Sequence, residues 1–159
     1  MEGHPAISIS IIVLLLAAIV TFGAYRFTHA SRQEIAKAYF VNEQTLATEV
    51  RSTLEVPPIS TPAGDLVYGV YMACGDCSNK QLAYLQKFSP EGKQALEQYV
   101  REHGEMPSPL DFGKVGGTPL IRGLQKGASW APLASPESAE AINSFKCPEG
   151  VNRYPCFAQ

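Results

Sequence analysis

Hydrophobic residues dominate one end of this chain. Residues 6–25 read AISISIIVLLLAAIVTFGAY, a run without a charged residue or a proline. Because an α-helix rises about 1.5 Å per residue, such a run spans roughly 30 Å, the thickness of the hydrocarbon core of a bilayer. The pattern predicts one transmembrane helix over 6–25, preceded by a short tail over 1–5, with the lipid bilayer as its partner. The predicted anchor residues are Ile7, Ile11, Leu14, Leu15, Leu16, Ile19 and Phe22.

A signal peptide that is later removed is the alternative interpretation of this run. The tail MEGHP contains no lysine or arginine, and the apolar run is longer than the core of an ordinary signal peptide. We therefore expect a retained anchor and a single-pass membrane protein.

An amphipathic pattern follows the apolar run. Ser31 and Glu34 have the spacing of a capping box, which begins a helix. Apolar residues then recur at intervals of three to five, with most charged residues between them. The pattern predicts an amphipathic stalk helix over 31–55 that packs either on the protein's own domain or on the helices of a partner. A proline-rich linker is predicted over 56–65, because prolines interrupt helices.

The remaining residues, 66–159, predict a loop-rich soluble domain. The predicted elements are a strand over 66–73, a short helix over 79–88, a helix over 90–103, a short strand over 119–122 and a helix from Ser135 to about 145. The helices at 90 and 136 each begin with Ser-Pro-Glu, which supplies an N-cap, a proline at the first position and an acid in the first turn. The predicted fold class is a single transmembrane α-helix followed by a small α+β or mainly helical domain.

The cysteines and the overall charge restrict the possible functions. The formal net charge is -2, so we expect no nucleic-acid partner, because phosphate binding needs a basic surface. Cys74, Cys77, Cys147 and Cys156 form an even set in a loop-rich domain, which predicts structural disulfides. Their pairing stays open between two short-range and two long-range bridges, and a zinc site made by all four is a further alternative.

Two signals disagree on the compartment. Arg26, Arg32 and Lys37 follow the apolar run, and positive residues favour the cytoplasmic side of a membrane helix. Disulfides instead persist outside the reducing cytosol. We expect the soluble domain to be extracytoplasmic (periplasmic), with the cytoplasm as the alternative.

The sharpest chemical motif is Cys74-Gly75-Asp76-Cys77, which follows a predicted strand and precedes a helix-compatible segment. Some forty residues later comes Thr118-Pro119. This combination resembles thioredoxin-like proteins, in which a Cys-x-x-Cys dithiol faces a cis-proline. The resemblance implies a thiol–disulfide oxidoreductase with Cys74 as nucleophile, Cys77 as resolving thiol and Pro119 beside them.

The leading hypothesis is nevertheless non-catalytic, since no serine-hydrolase, Walker, zinc-protease or EF-hand motif occurs in the sequence. We expect a membrane-anchored accessory or structural subunit of a larger membrane complex, of bioenergetic or secretion/pilus type, with the other subunits as partners. No cofactor and no metal ion are expected. Trp130 is predicted to lie in the core, with a partner-facing patch as the alternative. The membrane-tethered oxidoreductase is the alternative function.

Overall fold

All eight strands within residues 36–158 belong to one antiparallel sheet, as a computed structural model shows. The structure describes residues 36–158. The strands are β1 (Lys37–Asn42), β2 (Thr48–Ser52), β3 (Ile59–Thr61), β4 (Gly64–Cys74), β5 (Gln81–Phe88), β6 (Pro119–Arg122), β7 (Ala131–Pro132) and β8 (Arg153–Cys156). The helices of this part are α1 (Pro90–His103) and α2 (Pro136–Asn143), and 3₁₀ turns lie at Cys77–Asn79 and Pro109–Asp111.

Strand β4 is the centre of the sheet. The order of strands is β2-β1-β4-β5-β6-β7, and every pairing is antiparallel. On one side of β4, β1 pairs with Leu66–Tyr68 and β8 pairs with Tyr71–Cys74. On the other side, β3 and β5 follow one another along the strand. The long β4 therefore holds both ends of the domain in one sheet.

The core lies in two clusters on the two faces of this sheet. On the first face, Phe40, Tyr68, Phe88 and Phe112 form a chain of edge-to-face rings with centroids 4.8, 6.4 and 5.2 Å apart. Leu96 of α1 packs into the same cluster and is fully buried. The second cluster contains Val41, Val67 and Leu85, with Tyr71, Leu82 and Trp130 packed against them. Neither helix contributes a residue to this second cluster.

The two predicted helices that begin with Ser-Pro-Glu are confirmed. The hydroxyl oxygen of Ser89 accepts from the backbone N–H of Gly92 at 3.0 Å, and that of Ser135 accepts from Ser138 at 3.2 Å. Helix α1 ends at Gly104, whose φ of 73° is the left-handed conformation that favours glycine. The predicted strands over 66–73 and 119–122 are confirmed as β4 and β6.

The predicted stalk helix over 31–55 is wrong for the residues that the structure describes, because β1 and β2 form a hairpin there. Phe40 and Val41 are adjacent, and both are completely buried on opposite faces of the sheet, which one stripe of a helix does not allow. The side-chain oxygen of Asn42 accepts from the N–H groups of Gln44 and Thr45 and closes the turn. Residues 31–35 lie outside the described part.

Two further segments differ from expectation. The predicted helix over 79–88 is strand β5, because β4 and β6 bind its backbone on both sides. The predicted linker over 56–65 belongs to the domain: Val56 is buried in the first cluster, and β3 pairs with β4. The peptide bond between Pro57 and Pro58 is cis.

These differences correct the predicted fold class and localisation. The domain is mainly antiparallel β-sheet with two helices among residues 36–158, rather than α+β or mainly helical. In the same part of the chain, no helix has the length and apolar character needed to cross a membrane, which does not support the predicted single-pass membrane localisation. The predicted transmembrane helix over 6–25, with its anchor residues, lies outside the described residues.

Candidate binding site around Trp130

The four cysteines form two long-range disulfides. Cys74 bonds to Cys147 and Cys77 bonds to Cys156, with Cα–Cα distances of 5.5 and 5.7 Å. The prediction of disulfides is confirmed, and of the pairings left open the structure has the long-range set. A zinc site made by four thiolates is not formed, because every sulfur belongs to a disulfide. Disulfides of this kind indicate an oxidising environment.

The bridges fasten the carboxyl-terminal segment to β4. Cys74 is the last residue of β4 and lies opposite Arg153 of β8 in the strand register. The guanidinium of Arg153 donates to the carbonyl oxygens of Ile142 and Phe145 at 3.1 and 3.3 Å, at the end of α2. The positive charge therefore lies beside the Ile142 carbonyl in the last turn of the helix and the Phe145 carbonyl just after it.

The residues of the thioredoxin-like resemblance are placed differently from what it implies. Cys74 and Cys77 are bonded to different cysteines rather than to each other. The segment after Cys77 is a three-residue 3₁₀ turn followed by strand β5. Pro119 begins β6 and lies opposite Phe88 of β5. The structure therefore does not join Cys74 and Cys77 in one dithiol–disulfide couple.

A different group of side chains meets on the second face of the sheet. Lys87 is the last residue but one of β5, Arg122 ends β6, and Trp130 precedes β7. Leu85 lies opposite Arg122 in the register of β5 and β6, and side chains two apart on a strand share a face, so Lys87 and Arg122 point the same way. With Glu43, which follows β1, these residues form what we call the Trp130 cluster.

The cations of the Trp130 cluster lie against the indole ring. The Lys87 ammonium is 4.3 Å and the Arg122 guanidinium 4.9 Å from the ring centroid. Both distances are within the roughly 6 Å range of a cation–π interaction. The indole N–H of Trp130 is buried and has no hydrogen-bond partner among the described residues. The side chain of Trp130 is half-buried and packs against the second core cluster. This position is intermediate between the predicted core position and the alternative partner-facing patch.

Glu43 provides the counter-charge. Its carboxylate lies 3.5 Å from the Lys87 ammonium and 3.6 Å from the Arg122 guanidinium, and the side chains of all three are 19–22% exposed. Arg122 also donates to the backbone carbonyl oxygen of Glu43 at 3.0 Å. Ion pairs held by this degree of burial and by several contacts are less screened than exposed pairs. The cluster therefore has a fixed geometry and an excess of one positive charge.

A pocket of about 230 Å³ adjoins the cluster through Glu43 and Arg122, and Leu85 also lines it. Its other lining residues are Gln44, Leu46, Gly123, Leu124, Gln125, Gly127 and Ala128. Leu46 and Leu124 are exposed at its rim. The pocket thus has the size of one or two side chains, an apolar rim and polar groups inside.

The side chains of the Trp130 cluster are of the kinds that bind other molecules. In residues 36–158, no group of three or more histidine, cysteine, aspartate or glutamate side chains is arranged to hold a metal ion. His103 is the one histidine of this part, and its exposed ring contacts the carbonyl oxygen of Tyr99. What the cluster offers is an aromatic surface, two cations and a shaped pocket, which suit recognition.

Sequence reasoning missed Glu43, Lys87 and Arg122. They are separated by up to 79 residues, and only the sheet register brings them together. A signal was present in β5, where Lys87 follows Leu85 at the spacing of one strand face. This spacing indicates a shared face only if the segment is a strand, whereas the sequence pattern predicted a helix there.

Comparison of the chain with protein-family models, with characterised proteins and with solved structures finds no match.

Proposed function

We propose that this domain is a non-catalytic binding module of a larger protein assembly, and that the Trp130 cluster and its pocket receive a carboxylate side chain of a partner protein. The observation that carries the proposal is the association of Trp130 with Lys87 and Arg122 beside the 230 Å³ pocket. Tryptophan and arginine are the residues that most often supply the binding energy at protein interfaces.

The hydrogen-bonding inventory supports a carboxylate as the ligand group. Lys87 and Arg122 together bring eight N–H donors to the cluster, counted from the chemistry of about three per ammonium and about five per guanidinium. Glu43 is the one carboxylate near them in the cluster. An ionised carboxylate accepts hydrogen bonds without donating any, and guanidinium groups bind it in a planar, bidentate manner. An aspartate or glutamate of the partner therefore complements both the donor excess and the charge.

The disulfides support the same role. They fasten β8 and the segment after α2 to β4, so that a small domain with many turns holds a rigid surface. A preformed surface loses less conformational entropy on binding than a flexible one. The oxidising environment that such bonds require indicates that the partner is also found outside the reducing cytosol.

The experiment is affinity purification of the full chain from cells that produce it, followed by quantification of co-purifying proteins. We expect a stoichiometric partner, lost in Arg122→Gln and reduced in Leu124→Asp. Arg101→Gln is the matched control, because Arg101 is exposed on α1 and has the same charge. Trp130 is the single tryptophan of the chain, so its fluorescence reports directly on a purified partner.

Two results would overturn this proposal. One is a partner that Arg122→Gln retains as well as the wild type does. The other is purification of the full chain alone under mild conditions, with Trp130 fluorescence unchanged by acidic peptides at millimolar concentration.

A further inference from the structure

Strand β2 is one edge of the sheet. Within residues 36–158, β1 lies on its inner side and no strand pairs with its outer side. A free edge presents unpaired N–H and C=O groups that another strand can bind. The five residues of this edge, Thr48–Ser52, read TEVRS.

The register of the hairpin determines which groups face outward. Asn42 donates to the carbonyl of Ala47 at 2.9 Å, and Thr53 donates to the carbonyl of Ala36 at 2.8 Å. In an antiparallel pair, hydrogen-bonded and non-hydrogen-bonded residues alternate along the strand. The backbone groups of Glu49 and Arg51 therefore face β1, whereas those of Thr48, Val50 and Ser52 face outward.

We propose that β2 pairs with β2 of a second copy of this chain, antiparallel and about a two-fold axis that passes beside Val50. In this arrangement Val50 lies opposite its equivalent, and Thr48 lies opposite Ser52 of the second copy. All these residues have outward-facing backbone groups, but the Ser52 carbonyl already accepts from the Glu55 N–H at 3.2 Å. The three residue pairs therefore form about four hydrogen bonds with backbone groups that have no other partner. The two sheets become one continuous sheet. This inference is independent of the Trp130 cluster.

Charge complementarity supports a second copy as the occupant. About this axis, Glu49 lies opposite Arg51 of the second copy, and Arg51 lies opposite Glu49. Opposite charges in directly facing positions stabilise a strand pair, whereas like charges destabilise it. The segment TEVRS is thus complementary to its own antiparallel copy, with one apolar residue at its centre and opposite charges on either side.

The same charges disfavour the neighbouring registers. A shift by two residues in one direction places Glu49 opposite Glu49, and a shift in the other direction places Arg51 opposite Arg51. Shifts by one residue place inward-facing backbone groups against outward-facing ones. Of the antiparallel registers near the centre of the strand, the one centred on Val50 therefore satisfies both the charges and the backbone.

The side chains of this edge agree with a weak, specific contact. Val50 is 48% exposed on the same strand face as Tyr39, its partner in β1, so pairing would cover apolar surface. Arg51 is held by Glu49 at 2.7 Å and by Glu55 at 2.8 Å, so its guanidinium is positioned before the second copy arrives. The contact is short, so we expect it to form at micromolar concentration or above.

The experiment measures the mass of the full chain by analytical ultracentrifugation over a range of concentrations. We expect a monomer–dimer equilibrium in the wild type. Glu49→Arg and Arg51→Glu each place like charges opposite one another and should weaken the dimer by roughly 10- to 100-fold. The double variant E49R/R51E restores complementarity and should restore the dimer. Mixing the two single variants should give a heterodimer, because their charges are complementary to each other.

Val50→Pro tests the backbone contact without removing a bond to β1. The N–H of Val50 faces outward, and proline is tolerated at such positions of an edge strand. We expect this variant to be monomeric with an unchanged circular dichroism spectrum. Three results would overturn the proposal: a wild-type chain that stays monomeric at millimolar concentration, a dimer that Glu49→Arg does not weaken, or single variants that do not associate when mixed.

Discussion

Gly92 in the first turn of α1 lies directly against the backbone of Thr118. A Cβ atom placed on Gly92 would be 2.6 Å from the Thr118 nitrogen, a distance that real side chains do not show. Ser89 also donates its N–H to the carbonyl oxygen of Thr118 at 3.1 Å. The start of the helix and the residue before β6 therefore contact each other through their main chains.

Replacing Gly92 with alanine should destabilise the domain. Alanine normally favours a helix over glycine by about 1 kcal/mol, but the clash with Thr118 requires a main-chain shift that costs about 1–3 kcal/mol. We expect a lower free energy of unfolding in urea. Gly113→Ala is the control, since no atom lies within 4 Å of its Cβ position. A Gly92 variant as stable as the Gly113 variant would contradict the close contact.

Leu96 joins α1 to the first core cluster. It is fully buried beside Phe88 and Phe112. Leu96→Ala should lower the free energy of unfolding by about 2–5 kcal/mol, because it removes apolar contacts and leaves a cavity. Leu110 is 91% exposed, so Leu110→Ala should change stability by less than about 0.5 kcal/mol. Equal effects of the two substitutions on the free energy of unfolding would contradict the packing of α1 on the first core cluster.

Tyr68 should make stability depend on alkaline pH. Its hydroxyl donates to the carbonyl oxygen of Glu55 at 3.1 Å, and burial, assisted by the negative charge of Glu55, raises the pKa of Tyr68 well above its usual value. The folded state therefore favours the protonated phenol. The resulting contribution to the free energy of unfolding is fully present below about pH 10, the pKa of an unfolded tyrosine. It is lost as the pH rises towards the higher pKa of Tyr68 in the folded state.

The substitution Tyr68→Phe tests this pH dependence. The variant should lose about 1 kcal/mol at neutral pH, the usual worth of one hydrogen bond, and should show a flatter loss of stability above pH 10. Tyr154→Phe is the control, because Tyr154 is exposed. The measurement is urea unfolding at several alkaline pH values, with tyrosinate absorbance followed in parallel. Parallel curves for wild type and Tyr68→Phe would contradict the assignment.

Each disulfide should contribute to stability separately. The bridges close loops with sequence separations of 73 and 79 residues, for which the chain-entropy model gives about 4 kcal/mol each when the other bridge is absent. We expect large losses in the double variants C74S/C147S and C77S/C156S. Proteolysis without reduction, with proteases that cut before Asp76 and after Arg153, should release one peptide pair that contains Cys74 and Cys147. A fragment linking Cys74 to Cys77 would contradict the pairing.

Local signals in the sequence predicted part of this fold. Both Ser-Pro-Glu segments begin helices as expected, because an N-cap and a proline act within one turn. Strand β4 was recognisable from its β-branched and aromatic residues. The β1–β2 hairpin could not be recognised in this way, because its apolar residues recur at spacings of three to five, which are typical of a helix. Only the structure shows that Phe40 and Val41 are buried on opposite faces of a sheet.

The candidate site depended on distant pairings. Glu43, Lys87, Arg122 and Trp130 meet only after β1, β5 and β6 have taken their places in the sheet. The disulfide pairing likewise depends on β8, a four-residue strand that ends in one proline and one cysteine and has no periodic pattern. Tertiary packing determines which of these distant residues contact one another, and neither residue spacing nor composition predicts those contacts.

The position of β4 has a consequence for biosynthesis. The strands that precede and follow β4 in the sequence are translated close to it in time. Its residues Tyr71–Cys74, however, pair with β8, which is translated about eighty residues later. While the chain emerges, Cys74 and Cys77 are the two available thiols, and the bond between them would be non-native. Correct maturation therefore requires an environment that delays oxidation or exchanges an early bond, so recovery of the domain should depend on a disulfide isomerase or a glutathione redox buffer.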